Sequence, residues 1–207
     1  MVPFTGSHPD AVDSIMLYIV GISVILLVGI TLTMIFFVFK YHRKKNLEPK
    51  NIHGSVLLES IWIIIPTIIA LSMFFYGYQG YKFGKDIPED AYYVDVVAKT
   101  WDWDFIYENG FNSDTLFVPL NKTIVLQMKS LDVTHSLFIP AFRIKQDVYQ
   151  GKVTQLVFKT ENIGKYDIAC AEYCGLNHSQ MYTQVVILEE SDFNNWLVKV
   201  GKDLETL

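Results

Sequence analysis

The stretch S-I-M-L-Y-I-V-G-I-S-V-I-L-L-V-G-I-T-L-T-M-I-F-F-V-F, Ser14 to Phe39, carries no charged side chain. A helix needs ~20 apolar residues to cross ~30 Å of hydrocarbon, and this run exceeds that length. A second uncharged run, Ser60 to Tyr81, repeats the pattern. Two membrane spans are therefore expected, at about 14–39 and 56–81, as a helical hairpin within 1–83. The rest, 84–207, reads as one water-soluble domain of ordinary size. The chain has 207 residues, 51% hydrophobic and 19% charged, and the apolar excess sits in the hairpin. That composition excludes a cytosolic globular enzyme and a disordered chain. Two cysteines are too few for a disulfide framework, and a net charge of −5 argues against nucleic acid as a partner.

Orientation follows from the loop between the spans, K-Y-H-R-K-K-N-L-E-P-K. Here Lys40, Arg43, Lys44, Lys45 and Lys50 stand against Glu48 alone. Short loops rich in Lys and Arg stay on the cytoplasmic side, so both chain ends and the soluble domain are expected outside. A cleaved signal peptide fits less well, because residues 1–13 hold no Lys or Arg and the apolar run is too long.

In the second span, L-L-E-S-I-W-I-I-I-P-T-I-I-A places Glu59 just before the uncharged run. An ionisable group at that depth is a functional candidate, but a carboxylate in a first helical turn also suits the helix dipole. The residues alone leave both readings open. Pro66 is expected to kink the span.

The soluble part reads as strands. Short β-branched and aromatic runs occupy Tyr93–Ala98, Phe105–Tyr107, Thr123–Met128, Ser136–Ile139, Val153–Thr160, Tyr166–Ala169 and Tyr182–Leu188. Asn109-Gly110 is a hairpin signal, and further turn residues separate the other runs. This spacing predicts an antiparallel sandwich or barrel. From Ser191 to Leu204, Phe193, Trp196, Leu197 and Val200 recur at helical spacing and predict a short amphipathic helix.

The chemistry gathers in C-A-E-Y-C-G-L-N-H-S-Q-M, Cys170 to Met181, with His135 upstream in D-V-T-H-S. Thiolate, imidazole and thioether ligands select copper over magnesium, calcium or manganese. Each residue has a plainer reading: a core histidine, a core methionine, a disulfide between Cys170 and Cys174. A disulfide gives no reason for His178 and Met181 to follow in the same loop. A single blue-copper site uses one Cys, two His and a weak Met, so one thiolate is left over. The economical reading is two copper ions bridged by both thiolates, each completed by one His and one weak ligand. Met181 supplies one weak ligand, and the Glu172 backbone carbonyl is well placed for the other. Such a centre passes single electrons and offers no open position for substrate.

These features together resemble subunit II of the haem-copper cytochrome c oxidases. The resemblance covers nearly the whole chain: the two-span hairpin, L-E-S-I-W-I-I-I-P, T-W-D-W, P-A-F-R-I-K-Q-D and C-x-E-x-C-G-x-x-H-x-x-M. It implies a two-helix transmembrane hairpin followed by an all-β, cupredoxin-like Greek-key barrel. It implies that His135, Cys170, Cys174, His178, Met181 and the Glu172 carbonyl ligate the dinuclear centre called copper A. It further implies that the Glu172 side chain helps bind magnesium at the contact with subunit I, that Glu59 marks a proton pathway, and that electrons from a c-type cytochrome come in at Trp101. Asp102 departs from the family's usual Tyr between the two tryptophans. The implied partners are subunit I, further membrane subunits, the lipid bilayer and the cytochrome donor. Subunit I would reduce oxygen to water and pump protons. The implied location is a bacterial plasma membrane, with the copper domain on the outer side, in preference to the mitochondrial inner membrane.

Asp102, Asp104, Glu108 and Asp114 lie near Trp101 in sequence, and Asp132 lies near His135. Acidic groups there would steer a basic donor, the plainer reading being a solvated acidic face. Alternatives of other classes are a copper A subunit of a nitric oxide reductase and a membrane-anchored copper chaperone or thiol oxidoreductase. A quinol oxidase subunit would lack the cysteines, and a nitrous oxide reductase would lack the hairpin. No C-x-x-C-H occurs, so no fused cytochrome c domain is expected within these residues.

Overall fold

The computed structural model describes residues 8–44, 46, 48, 53–83 and 87–205. Lys45 and Lys50 of the basic loop, and the boundary expected at 84, lie outside the described residues. The chain forms two compact units, Ala11–Lys82 and a second one beginning at Phe83.

The first unit holds two long helices, α1 (His8–Lys40) and α2 (Val56–Phe83). Both are apolar on all sides and long enough to cross a bilayer. α1 begins six residues before the expected span. Pro9 and Asp10 explain this, since a proline in the first turn loses no helical hydrogen bond and an acid there faces the positive end of the dipole. α2 starts under a cap, the Ser55 hydroxyl accepting from the Leu58 N–H at 3.4 Å. Pro66 lies inside it as expected, and one residue on, the Thr67 hydroxyl donates to the Ile63 carbonyl at 2.7 Å. The helices touch through Tyr18, 2.7 Å from the Ser72 hydroxyl and edge-on to Tyr76, and through Ile15 against Gly80.

The second unit is a sandwich of two five-stranded sheets. One sheet runs β3 (Asn112–Ser113), β2 (Asp102–Ile106), β1 (Tyr92–Lys99), β5 (Thr123–Ser130), β8 (Thr154–Lys159). The other runs β4 (Leu116–Pro119), β10 (Tyr182–Leu188), β9 (Gly164–Cys170), β6 (His135–Ile139), β7 (Ile144–Val148). The expectation of an all-antiparallel arrangement is corrected, because β1·β5 and β4·β10 are parallel pairs. The chain crosses to the opposite sheet for β4 and returns, which brings β5 beside β1 in the same direction. The sequence reading also missed β3, β4 and β7. β3 spans two residues, β4 ends on Pro119, and β7 reads I-K-Q-D-V with a polar middle, so none carries a clear alternation.

The core is built from the inward positions of both sheets. Val94, Val96 and Ala98 of β1 meet Trp103 and Phe105 of β2, Leu126 and Met128 of β5, and Leu137, Ile168, Val185 and Ile187 from the opposite sheet. Helix α3 (Glu190–Glu205) closes one end. Its Phe193 packs edge-on to Tyr92, and its Trp196 packs against Phe117 at 4.6 Å and Tyr107 at 5.0 Å. Tyr92 begins β1, whereas Lys99 ends it near the metal-ligand candidates, so the aromatic cap and the candidate site occupy opposite ends of one strand.

Candidate metal centre

The ligand candidates converge because three strand ends meet. Cys170 is the last residue of β9 and Tyr182 the first of β10, and these strands pair antiparallel. The Cys170 N–H donates to the Met181 carbonyl at 3.1 Å and closes the base of the loop. The Ala171 N–H donates to the Ser136 carbonyl at 2.9 Å, which ties the loop to β6 and brings in His135. Gly175, at φ +118°, turns the chain back, and its carbonyl accepts from the His178 N–H at 3.1 Å. Only glycine adopts that φ freely.

All six atoms singled out by sequence come together. The Cys170 and Cys174 sulfurs lie 3.8 Å apart, well beyond the ~2.05 Å of a disulfide. His135 Nδ1 lies 3.9 Å from Cys170 Sγ, and the Glu172 carbonyl 3.3 Å from it. On the other side, His178 Nδ1 is 3.5 Å and Met181 Sδ 3.8 Å from Cys174 Sγ. His135, Cys170, Cys174 and Met181 are buried, His178 is half-buried, and Glu172 is exposed. Burial, with Cys170 beside it, pushes the Cys174 thiol from 9.0 up to about 12. A metal must therefore displace a firmly held proton.

The donor set fits a pair of soft ions. Atoms bound to one tetrahedral ion by bonds of ~2.0–2.3 Å lie ~3.3–3.8 Å apart. The two sulfurs occupy the centre, and each has one imidazole and one weaker donor at 3.3–3.9 Å, within a tenth of an ångström of that range.

Asp132 has a different place from the steering role expected of it. His135 Nε2 lies 2.8 Å from its Oδ1, and the Thr100 N–H donates to its Oδ2 at 2.7 Å, joined by the Thr100 hydroxyl. The Val133 N–H donates to Oδ1 at 2.7 Å. Partial burial would raise its pKa, but these hydrogen bonds outweigh that and hold the carboxyl well below the usual range. An ionised carboxylate only accepts, so it fixes the proton on Nε2 and leaves the Nδ1 lone pair facing Cys170. A carboxylate three residues before a candidate ligand was the available signal.

Trp101 is half-buried, and its indole Nε1–H donates to the Cys174 carbonyl at 3.2 Å. Trp103 stands edge-on to His135 with ring centres 6.1 Å apart, and exposed Tyr173 stands edge-on to His178 at 5.8 Å. The expected acidic cluster is thinner than the sequence suggests. Lys99 Nζ lies 2.6 Å from Asp104 and 3.9 Å from Asp102. Glu108 acts on Tyr92, at the capped end of β1. Glu59 belongs to the other unit, exposed in the first turn of α2.

Fold and site define a β-sandwich following two membrane-length helices, with a buried group of cysteine, histidine and methionine donors suited to a soft metal where the loop between two strands meets β6. The sequence matches the description "Cytochrome C oxidase subunit II, transmembrane domain" over residues 6–79 and "Cytochrome C oxidase subunit II, periplasmic domain" over 67–189. The chain belongs to the cytochrome c oxidase subunit II family, and membership implies a membrane protein that binds copper. It is 27% identical to cytochrome c oxidase subunit 2 of Cereibacter sphaeroides, over 87% of this chain and 73% of that one. It is 29% identical to that of Alkalihalophilus pseudofirmus, over 90% of this chain and 58% of the relative. Among solved structures it resembles the periplasmic domain of subunit II of cytochrome oxidase of Bradyrhizobium japonicum. There the TM-score is 0.52 and the identity 27%, over 57% of this chain and 98% of that one.

Proposed function

We propose that this chain accepts single electrons from a c-type cytochrome at a dinuclear copper A centre and relays them to haem in a catalytic subunit I, where oxygen is reduced to water and protons are pumped. His135, Cys170, Cys174, His178, Met181 and the Glu172 carbonyl hold the two ions. One observation carries this reading: two separate sulfurs 3.8 Å apart, each flanked by one imidazole and one weak donor. When bound, a pair of copper ions would supply one-electron redox chemistry, the charge change of each transfer being spread over both.

The chain's own residues supply the remaining requirements. Strand ends place Cys170 and His135, backbone hydrogen bonds close the loop that carries the other donors, and burial keeps water from the sulfurs. Asp132 orients His135, and Trp101 lies against the carbonyl of Cys174. Trp101 is the residue through which electrons come in. The Glu172 side chain is a hard oxygen ligand suited to magnesium at the contact with subunit I. Glu59, at the basic and hence cytoplasmic end of α2, marks the mouth of a proton pathway. The soluble domain stands on the outer side of a bacterial plasma membrane.

The deciding experiment is metal analysis of the purified full chain together with its near-infrared spectrum. Two coppers per chain with a near-infrared band support the reading. One copper without that band leaves a simple copper carrier, and no copper with a reversible Cys170–Cys174 disulfide leaves a thiol oxidoreductase.

A further inference from the structure

Two contacts join the Trp101 side chain to the metal-ligand loop, and Gly175 stands at both. The indole N–H reaches the carbonyl of Cys174, one residue before Gly175, at 3.2 Å. A Cβ on residue 175 would lie 3.3 Å from both Nε1 and Cζ2 of the same indole and 3.6 Å from Cε2. That is tighter than ordinary van der Waals contact, and the ring has little room to retreat. Trp101 is packed against the core, and the residue before it is fastened to Asp132 by both its N–H and its hydroxyl. The absent side chain at 175 is therefore what lets the indole seat on the loop, and φ +118° independently calls for glycine there.

We propose that Gly175 is a positioning residue for electron acceptance. It admits the Trp101 indole to the Cys174 carbonyl, so that one hydrogen bond and the short covalent path through Cα and Cβ of Cys174 connect the ring to a bridging sulfur. The proposal rests on the reading of Trp101 as the residue through which electrons come in. In the step concerned, a reduced c-type cytochrome loses one electron and the centre gains it. No bond forms or breaks, and no proton moves. A second connection from Trp101 runs through Thr100, the Asp132 carboxylate and the His135 ring, and it needs two hydrogen bonds in series.

The test uses the full chain, in its oxidase complex for kinetics and alone in detergent without metal for spectroscopy. Three variants are compared: Gly175→Ala, Trp101→Phe, which keeps a ring and removes the N–H, and Trp101→Ala. Electron acceptance is timed after flash reduction of a ruthenium-labelled cytochrome c, with copper content and the near-infrared band as controls. Misplacement by ~1 Å can cost ~100-fold in rate, so a shift of a few tenths of an ångström is expected to slow acceptance roughly three- to fivefold in Gly175→Ala. Trp101→Phe should slow it comparably, and combining the two should add little, since both act on one contact. In the metal-free chain, the Trp101 indole N–H should exchange slowly with solvent in the wild type and rapidly in Gly175→Ala. If Gly175→Ala and Trp101→Phe accept electrons at the wild-type rate while Trp101→Ala is slow, the positioning role falls and the Trp101 reading stands. If Trp101→Ala is also unimpaired, the Trp101 reading itself falls. Should Gly175→Ala fail to load copper, Trp101→Phe and the metal-free exchange decide, and an unprotected wild-type indole N–H overturns the proposal.

Discussion

The imidazole Nε2 of His135 lies 2.8 Å from Oδ1 of Asp132, so a fully buried ligand candidate takes its orientation from a carboxylate three residues earlier. Replacing Asp132 by Asn keeps the shape and removes the charge. The amide cannot accept at both oxygens from His135, Val133 and Thr100, so the Nε2 proton and the ring orientation are no longer fixed. Loss of such an outer partner typically costs ~10–100-fold in metal affinity. Competition with a copper chelator on the full chain should show a drop of that size, and wild-type affinity would mean that β6 alone orients the ring.

The two sulfurs are not equivalent in their surroundings, but both lie between the imidazoles. Cys170→Ser should abolish the near-infrared absorption and leave fewer than two coppers per chain. Serine is a hard, weakly acidic donor and cannot bridge soft ions as a thiolate does. Retention of two coppers with the band intact would sink the ligand assignment.

How far the sequence could be read depended on whether a residue's neighbours are near in the chain. Cys170, Cys174, His178 and Met181 share one loop, so their convergence was legible from spacing, and His135 followed because a β-scaffold had to supply it. Trp196 against Phe117 and Tyr107 follows from a helical stripe, although its partners were invisible. Asp132 was legible as a charge near His135, but its engagement by Thr100 was not, because that contact crosses between loops 32 residues apart. Gly175 passed unremarked for the same reason, since Trp101 lies far upstream. The parallel pairs β1·β5 and β4·β10 depend on the crossing between sheets, which no local pattern encodes.

At the capped end of the sandwich, the Tyr107 hydroxyl donates to the Phe117 carbonyl at 3.0 Å and accepts from its N–H at 2.6 Å. Burial raises its pKa above the ordinary 10.0, and burial likewise pushes Tyr92 up to about 12. A raised folded-state pKa means that the neutral phenol contributes stability in full below pH ~10, which is lost as pH rises toward the folded value. The urea midpoint of the metal-free chain should therefore be flat from neutral pH to about 8 and fall between about 9 and 12, with the Cys174 thiol contributing first and the two phenols above about 10. Tyr107→Phe should make that fall shallower while costing ~1–3 kcal/mol at pH 7, because the Phe117 N–H is left unpaired. A pH profile identical to the wild type would place the alkaline transition elsewhere.

Phe193 anchors α3 with 2% of its surface exposed, packed edge-on to Tyr92. Phe193→Ala should cost ~3–5 kcal/mol, the range for emptying a buried aromatic site. Thermal unfolding should show the loss, while the near-infrared band at low temperature stays unchanged, because the centre lies at the other end of β1. A loss of the band without a loss of stability would contradict that separation.

Lys99 sets how much negative charge the surface beside Trp101 presents to a donor. It lies 2.6 Å from Asp104, which also accepts from the Asn112 side chain at 3.2 Å, and 3.9 Å from Asp102. One lysine thus offsets part of the charge of two acids, and the hydrogen bond with Asp104 raises its own pKa, so it stays protonated. Lys99→Gln releases both carboxylates. With a basic c-type cytochrome, association at low ionic strength should rise several-fold and fall more steeply with added salt than in the wild type. At ~0.15 M salt the Debye length is ~8 Å, and the two proteins should converge. Exposed ion pairs contribute ~0–1 kcal/mol, so thermal stability should barely move, and any rate change is then electrostatic. Identical salt slopes would show that Asp102 and Asp104 lie outside the surface the donor meets.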